Sequence, residues 1–186
     1  AHRQQFGGGR GQAIARAIGL KHGNTPSVLD ITAGLARDAF VLACLGCKLT
    51  LVEQSLVLYT LIDDGIRRGL ANPASADVLK NFMNLVYADS VLYMEHMDRE
   101  TRPDVIYIDP MYPERKKSAQ VKKDMQILQH LLGKDENAEV LLKTALQCAG
   151  KRVVVKRPIH AGTLGDIKPS TSISSKKTRY DIYIIN

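Results

Sequence analysis

Short apolar runs alternate along this chain with longer segments in which apolar residues recur every three or four positions. The short runs predict β-strands, and the longer segments predict amphipathic α-helices. Strands are predicted over residues 28–32, 48–53, 83–88, 105–108 and 151–158. Helices are predicted over residues 12–19, 38–45, 54–70, a short segment ending at 81, 125–132 and 138–149. Strands that alternate with helices in this way are typical of a parallel sheet.

The last part of the chain departs from this alternation. Residues 172–175 and 179–185 are two β-rich stretches with a short polar link, which predicts a closing antiparallel hairpin. The expected fold class is therefore α/β, a Rossmann-like sheet that is mostly parallel, closes with the hairpin and carries helices on both faces. Residues 1–27 are expected to form a basic, glycine-rich N-terminal arm with a short helix, and residues 28–186 the main domain.

The predicted strand at residues 105–108 leads directly into the sequence Asp109-Pro110-Met111-Tyr112. Pro110 lacks a backbone donor and ends the strand, so Asp109 is left at its carboxyl end. Ligands of open α/β sheets bind outside the carboxyl ends of the strands, which makes this carboxylate and the nearby aromatic ring candidates for chemistry. A simpler interpretation is a tight turn in which Asp109 bonds to neighbouring backbone amides.

The first predicted strand–helix–strand unit also places polar groups at this edge. Asp30 lies near the end of the first strand, Gly34 in the loop before the helix, and Glu53 at the end of the second strand. A carboxylate in the last of these positions can accept hydrogen bonds from ribose hydroxyls. The loop does not match the dinucleotide pattern, so we expect a ligand with an adenosine half and no phosphates.

Composition narrows the class of partner. The 186 residues carry a formal net charge of +7 and have a pI near 9.4, which favours a polyanionic partner such as nucleic acid. No segment resembles a membrane span or a signal peptide, so we expect a cytoplasmic protein. Cys44 and Cys47 have the spacing of a metal or redox pair, but no second pair or histidine cluster accompanies them. We therefore interpret them as structural thiols and expect no metal site.

Several longer motifs, present together in one order, resemble a known family. They are His2-Arg-Gln-Gln-Phe-Gly-Gly-Gly-Arg-Gly11, Asp30-Ile-Thr-Ala-Gly-Leu-Ala-Arg-Asp-Ala-Phe40, Asp109-Pro-Met-Tyr-Pro113, Lys117-Ser-Ala119 and Lys151-Arg-Val-Val-Val-Lys-Arg-Pro158. With acids at its strand ends, the chain resembles class I S-adenosylmethionine-dependent methyltransferases, and these motifs are similar to the RsmJ family. The resemblance implies a methyltransferase domain over residues 28–186, S-adenosylmethionine as cofactor, and the exocyclic N2 amine of a guanine in 16S ribosomal RNA as acceptor.

The resemblance also implies roles for individual residues. Contacts with S-adenosylmethionine are implied for Arg37, Asp38, Glu53, Gln54, Asp89, Ser90 and Asp109. The loop from Ala33 to Asp38, which contains Gly34, would approach the methionine end, and Asp30 is a further candidate cofactor residue. Asp109 and the carbonyl of Pro110 are implied to accept the N–H groups of the amine, and Tyr112 to stack on the base. Ala36 stands where the family usually has glycine, and Asp89 where a small hydroxyl residue is common.

Basic residues are candidate contacts for RNA phosphates, which orient a nucleic acid without reading its sequence. They are Arg3, Arg10, Lys116, Lys117, Lys122, Lys156 and Arg157. The implied partner is 16S ribosomal RNA or the small ribosomal subunit. The residues leave two alternatives open: methylation of adenine N6 or another amine in DNA or RNA, and a nucleic-acid-binding Rossmann-like module without catalysis.

Overall fold

The computed structural model describes residues 9–110 and 137–185, and a single mixed sheet runs through them. Its strands are β1 (Val28–Asp30), β2 (Leu49–Glu53), β3 (Met83–Tyr87), β4 (Val105–Ile108), β5 (Arg152–Pro158), β6 (Thr171–Ser174) and β7 (Thr178–Ile184). Their order in the sheet is β3-β2-β1-β4-β5-β7-β6. Strands β1 to β5 are parallel, and β6 and β7 form the antiparallel hairpin, with β7 paired to β5. The predicted fold class is confirmed.

Helices connect most of the parallel strands. They are α1 (Ala13–Ala17), α2 (Arg37–Cys44), α3 (Leu56–Leu70), α4 (Pro73–Phe82), α5 (Ser90–Glu95) and α6 (Ala138–Cys148). The sequence pattern predicts all of these except α5, whose six residues are too few to show a helical repeat. The helix predicted over residues 125–132 lies outside the described residues. Nowhere in 9–110 or 137–185 is a helix long and apolar enough to cross a membrane.

The sheet is covered on both faces, because successive side chains of a strand point to opposite sides. On one face Val28 and Tyr107 pack in the same cluster as Ile14 of α1 and residues of α2. On the other face Leu29 and Ile106 pack with residues of α5 and α6. All four residues of β4 are buried, as expected for a central parallel strand. Helix α1 therefore belongs to the same core as the sheet.

The strand order changes direction at β1. Strands β2 and β4 pair with opposite sides of β1, so a crevice opens at the carboxyl ends of these strands, where ligands of α/β folds bind. In the register, Asp30 pairs with Leu51 of β2 and with Tyr107 of β4. Glu53 and Asp109 each follow these partners by two residues. Three carboxylates are therefore brought to one edge of the sheet.

The opposite, amino edge of the same strands carries an ion pair. Nζ of Lys151 lies 2.7 Å from Oδ1 of Asp104, and the amide of Ser27 donates a hydrogen bond of 3.0 Å to Oδ2 of Asp104. Asp104 precedes β4 and Lys151 precedes β5. Strands β4 and β5 therefore carry a lysine–aspartate pair at their amino edge, Lys151 with Asp104. Variants of this pair can serve as controls for experiments on the carboxyl edge.

Candidate cofactor and acceptor site

The loop between β1 and α2 has an unusual backbone. Gly34 has a φ of 56°, and Ala36 has a φ of 53°, so both lie in the left-handed region. The amide of Ala36 donates a hydrogen bond of 2.7 Å to the carbonyl of Ala33, which closes the turn. A side chain at Gly34 would meet nothing nearer than the Thr32 carbonyl at 3.7 Å, so positive φ is the reason for glycine there.

We expect Ala36→Gly to raise the free energy of unfolding by about 0.5–1 kcal/mol. The left-handed conformation costs an L-residue about 1–2 kcal/mol, and glycine gives back about 0.5–1 kcal/mol through the entropy of the unfolded chain. Urea denaturation of the variant and the parent measures the difference. Ala39→Gly is the matched control, since Ala39 lies within α2 and should lose stability on the same change. If the Ala36→Gly variant is less stable than the parent, the left-handed conformation of Ala36 does not strain the backbone.

Glu53 links two loops of the site. Its side chain is buried, and its two carboxylate oxygens accept different backbone amides. Oε2 accepts a hydrogen bond of 3.1 Å from Gly34, and Oε1 accepts one of 2.8 Å from Ser55. The carboxylate is therefore held in one orientation between the loop after β1 and the loop after β2. This is the position that the sequence assigned to a ribose contact.

Asp89 and Ser90 follow β3 at the same edge. Ser90 is buried, and its Oγ donates a hydrogen bond of 2.7 Å to the carbonyl of Ile31, just after β1. Asp89 is exposed, and its Oδ1 accepts hydrogen bonds of 2.9 Å from the amides of both Val91 and Leu92. Asp89 is thus the N-cap of α5, a role the sequence analysis missed. Both N-cap hydrogen bonds are accepted by Oδ1 of Asp89.

Four side chains from three elements form a polar network beneath the crevice. Nζ of Lys156 lies 2.6 Å from Oδ2 of Asp109 and 2.8 Å from Oδ2 of Asp38. The hydroxyl of Tyr107, which is fully buried in β4, donates a hydrogen bond of 2.9 Å to the same oxygen of Asp38. Burial lowers the pKa of Lys156, but the carboxylates of Asp109 and Asp38 outweigh it, so this pKa is raised above that of ordinary lysine. Lys156 is therefore a charged link between two acids.

Asp109 is anchored at both its backbone and its side chain. Its amide donates a hydrogen bond of 2.7 Å to Oγ1 of Thr32, and its carboxylate pairs with Lys156. The side chain is 39% exposed, so the carboxylate sits in a crevice that remains open to solvent. Its surroundings raise the pKa of Asp109 through burial, Lys156 opposes this rise, and the negative charge of Asp38 adds to it. Pro110 follows as a buried residue.

Asp30 completes the set of acids. It is 3% exposed, and its Oδ1 accepts hydrogen bonds from the amide of Thr32 at 3.1 Å and from its hydroxyl at 3.4 Å. Burial raises the pKa of Asp30 to about 7, and the charges of Asp109 and Asp38 act in the same direction. The carboxyl edge is thus crowded with acids that repel one another, and it favours a cation.

The remaining predicted site residues lie in different places. Arg37 and Gln54 are exposed at this edge, where they follow the loop after β1 and the end of β2. Arg10 donates a hydrogen bond of 2.7 Å to the carbonyl of Lys21, and its charge partly offsets the rise that burial causes in the pKa of Cys47, so it lies toward the amino edge. Residues outside the described ranges are Arg3, Tyr112, Lys116, Lys117 and Lys122.

Lys156 and Arg157 lie toward the carboxyl end of β5, but their side chains have partners inside the protein. Lys156 points inward to its two carboxylates. Arg157 is 6% exposed, and its Nη2 donates a hydrogen bond of 2.6 Å to the carbonyl of Gly162. These contacts give both side chains roles inside the protein. The sequence analysis also missed Tyr107 and Thr32; the one available signal was a tyrosine in a buried strand, whose hydroxyl needs a partner.

The cysteines are free thiols. Cys47 is fully buried, and burial raises its pKa to about 11, which makes it unreactive as a nucleophile. In the part of the chain that the structure describes, no group of three or more histidine, cysteine, aspartate or glutamate side chains could hold a metal ion.

Known proteins resemble this chain over nearly its full length. A family model described as a putative SAM-dependent methyltransferase matches residues 1–185. The protein named ribosomal RNA small subunit methyltransferase J from Colwellia psychrerythraea is 56% identical over 184 residues, which are 99% of this chain and 66% of that protein. The protein of the same name from Aeromonas salmonicida is 51% identical over 185 residues, 100% of this chain and 74% of that protein.

A solved structure agrees with these relatives. The SAM-dependent methyltransferase NGO1261 from Neisseria gonorrhoeae is 39% identical, and it superposes with a TM-score of 0.74 over 92% of this chain and 69% of its own. Fold and site thus define a class I methyltransferase that depends on S-adenosylmethionine. The chain belongs to the family of ribosomal RNA small subunit methyltransferase J. It spans just under two thirds of the length of the Colwellia relative.

The residues present fit the cofactor of this class. S-adenosylmethionine carries a sulfonium, an ammonium and a ribose, and it has no phosphates. The carboxyl edge offers the matching groups: Glu53 beside the turn at Gly34, and the cluster of Asp30, Asp38 and Asp109. Such a set of acids suits hydroxyls and positive charge, and it would repel a phosphate.

Proposed function

We propose that this chain transfers a methyl group from S-adenosylmethionine to the exocyclic N2 amine of a guanine in 16S ribosomal RNA, in the cytoplasm. The observation that carries the proposal is the Asp109 carboxylate, held at the carboxyl end of β4 by Lys156 and Thr32 and open to solvent. The names of the relatives support RNA of the small subunit as the substrate. The chain would act on free 16S RNA or on the small ribosomal subunit.

Residues of three loops would hold the cofactor. Glu53 would accept hydrogen bonds from the ribose hydroxyls, since its carboxylate is oriented by Gly34 and Ser55. Arg37 and Asp38 would approach the methionine end from the start of α2, with Asp30 and Gly34 in the loop before it. Gln54, Asp89 and Ser90 would lie along the adenosine half. When bound, the cofactor supplies an electrophilic methyl group on a good leaving group.

The acceptor amine needs alignment more than activation. Its lone pair is delocalised into the guanine ring, and a hydrogen-bond acceptor on its N–H draws the nitrogen toward a nucleophilic geometry. Asp109 would accept one such N–H, and the carbonyl of Pro110, the next residue in the chain, would accept the other. Tyr112 would stack on the base. Holding the reacting atoms in line accounts for much of the rate in such a transfer.

The test is a methyl-transfer assay with labelled S-adenosylmethionine on three substrates: undermethylated small subunits, naked 16S RNA and DNA. The RNA is then digested to nucleosides, and the labelled nucleoside is identified. We expect N2-methylguanosine. A labelled N6-methyladenosine would favour the adenine alternative instead. Cofactor binding by calorimetry with no methylated product on any substrate would favour the module without catalysis.

The RNA would approach along the carboxyl edge, where the β6–β7 turn lies. Thr178 pairs with Pro158 at the end of β5, so this turn is at the same edge as Asp109. Lys176 and Lys177 at its tip are exposed. The amide of Ile159 donates a hydrogen bond of 3.2 Å to the carbonyl of Lys177, and the amide of Ser175 donates one of 2.7 Å to Thr178. A braced, basic tip beside the site suits RNA phosphates.

We expect the double variant Lys176→Ala, Lys177→Ala to bind 16S RNA more weakly and to flatten the dependence of log K on log salt by about 0.7 for each lysine. The reason is that each phosphate contact releases condensed counterions. Binding measured between low and moderate salt gives the slope. The control is Lys21→Ala, Lys48→Ala, which removes the same charge from the amino edge. Equal slopes for the two double variants would leave the tip as an ordinary solvated turn.

A further inference from the structure

Lys156 is placed by the sheet itself. In the register of β4 and β5, Val155 pairs with Ile108, so the next residue of β5 lies beside Asp109 at the end of β4. Its side chain lies on the face of the sheet that α2 covers, where it also reaches Asp38. One ammonium thus joins the ends of two strands to the first turn of a helix.

The surroundings of Asp109 would favour its neutral form without this ammonium. The charged and titratable groups around it come from each of the elements packed there: Asp30 of β1, Asp38 of α2, Tyr107 of β4, Tyr180 of β7 and Lys156 of β5. Among these, the carboxylates repel the charge of Asp109, and burial raises the pKa of the Tyr107 hydroxyl, which therefore stays protonated. Lys156 is the cation in contact with Asp109 within the described residues.

We propose that Lys156 is a positioning residue for methyl transfer: its ammonium holds the Asp109 carboxylate ionised and oriented toward the acceptor amine. This inference rests on the proposed role of Asp109 as the acceptor of an amine N–H. A protonated carboxyl can turn its O–H, a donor, toward the N–H groups of the amine, and its remaining acceptor oxygen carries no charge and binds an N–H more weakly than a carboxylate does. Lys156 therefore acts through Asp109, and it does not touch the RNA.

The charge of Lys156 predicts the direction of a pH effect. Lys156 lowers the pKa of Asp109, so its removal should raise that pKa. Asp109 would then stay protonated to a higher pH, and activity on the acid side would be lost. An opposite charge in contact typically moves a carboxyl pKa by about one to three units. The acid limb of the rate profile should therefore move to higher pH by about one unit or more.

The experiment measures single-turnover methyl transfer against pH at saturating cofactor and RNA. For Lys156→Met we expect roughly a tenfold loss at the pH of the parent's acid limb and recovery as the pH rises. Lys156→Arg keeps the charge and should keep the limb near its parental pH. The control is Lys151→Met, which breaks the matching ion pair with Asp104 on the same two strands and should leave the profile unchanged. A loss for Lys156→Met that is the same at every pH, or no loss, would overturn the proposal.

Titration of Asp109 by carbon-13 NMR, without RNA, gives a second readout. Its carboxyl signal is assigned by comparison with Asp109→Asn. The pKa should rise in Lys156→Met and fall in Asp38→Asn, because Asp38 is a negative neighbour of Asp109. If Lys156→Met does not fold, Lys156→Gln, which also removes the charge and keeps a polar end, is titrated in its place. Unchanged titration refutes the role of Lys156 alone, whereas a parent that makes no N2-methylguanosine refutes the proposed function.

Discussion

Asp109→Asn should lower the rate of single-turnover methyl transfer by about 100-fold or more at saturating S-adenosylmethionine. A hydrogen-bond acceptor that aligns the amine matters most when the nitrogen meets the methyl group, and a misplacement of about 1 Å costs a factor of this size. Asparagine has almost the same shape as aspartate, but it has no charge to pair with Lys156 and carries an N–H₂ group. Cofactor affinity should change much less than the rate.

Rate and affinity must be measured separately, because the proposed site brings Asp109 near the cofactor as well. Calorimetry gives the affinity for S-adenosylmethionine, and rapid-quench single turnovers give the rate. Asp104→Asn is the matched control: it removes an aspartate from the other end of β4 and breaks its ion pair with Lys151. That variant should keep the parental rate.

Two results would contradict this prediction. If Asp109→Asn methylates guanine at the parental rate, the turn after β4 is structural and the acceptor pocket lies elsewhere. If the rate falls only as far as cofactor affinity falls, Asp109 belongs to the cofactor site alone.

The edge that carries the site was predictable from the sequence. Short apolar runs define the strands, and the residue that ends a buried parallel strand must lie at its carboxyl end. Asp30, Glu53 and Asp109 were each located in this way, without knowledge of the strand order. The order 3-2-1-4-5-7-6 then brings the ends of three adjacent strands together.

The network beneath the edge was not predictable, because it depends on contacts between residues far apart in sequence. Lys156 follows the apolar run Val153-Val154-Val155 in a strand with basic residues at both ends, a pattern that is also typical of an exposed strand end. Only its pairing with Asp38, 118 residues away, reveals its role. Arg157 looks equally exposed in the sequence, yet its guanidinium is turned into the protein. Charge alone does not distinguish a cation that faces water from one that faces a buried acid.

Local signals also compete at this edge. Asp89 was located at a strand end like the other acids, but aspartate is also a favoured N-cap, and the structure gives it that role for α5. Ala36 shows the reverse case. The family resemblance implied a glycine position, and the left-handed φ of Ala36 supplies the physical reason.

Glu53→Ala should weaken the binding of S-adenosylmethionine by roughly 10- to 150-fold, since a hydrogen bond to a charged group contributes about 1.5–3 kcal/mol. Glu53→Gln should not restore it. The two oxygens accept amides from opposite sides, Ser55 at Oε1 and Gly34 at Oε2, so an amide side chain would set its N–H₂ against one of these donors. Calorimetry on the folded variants measures the affinity, and Glu139→Ala, which removes an exposed carboxylate from α6, is the control.

These backbone bonds mean that the variant can also disturb the loop at Gly34, so direct contact with the ribose needs its own test. The 2′,3′-dideoxy analogue of S-adenosylhomocysteine lacks the hydroxyls that Glu53 would bind. If the contact is direct, the parent binds the analogue more weakly than it binds S-adenosylhomocysteine. Glu53→Ala should bind the two ligands with nearly equal affinity, because groups in contact are coupled by about 0.5–3 kcal/mol. Equal losses in the parent and in Glu53→Ala would show that Glu53 shapes the loop while another residue holds the ribose.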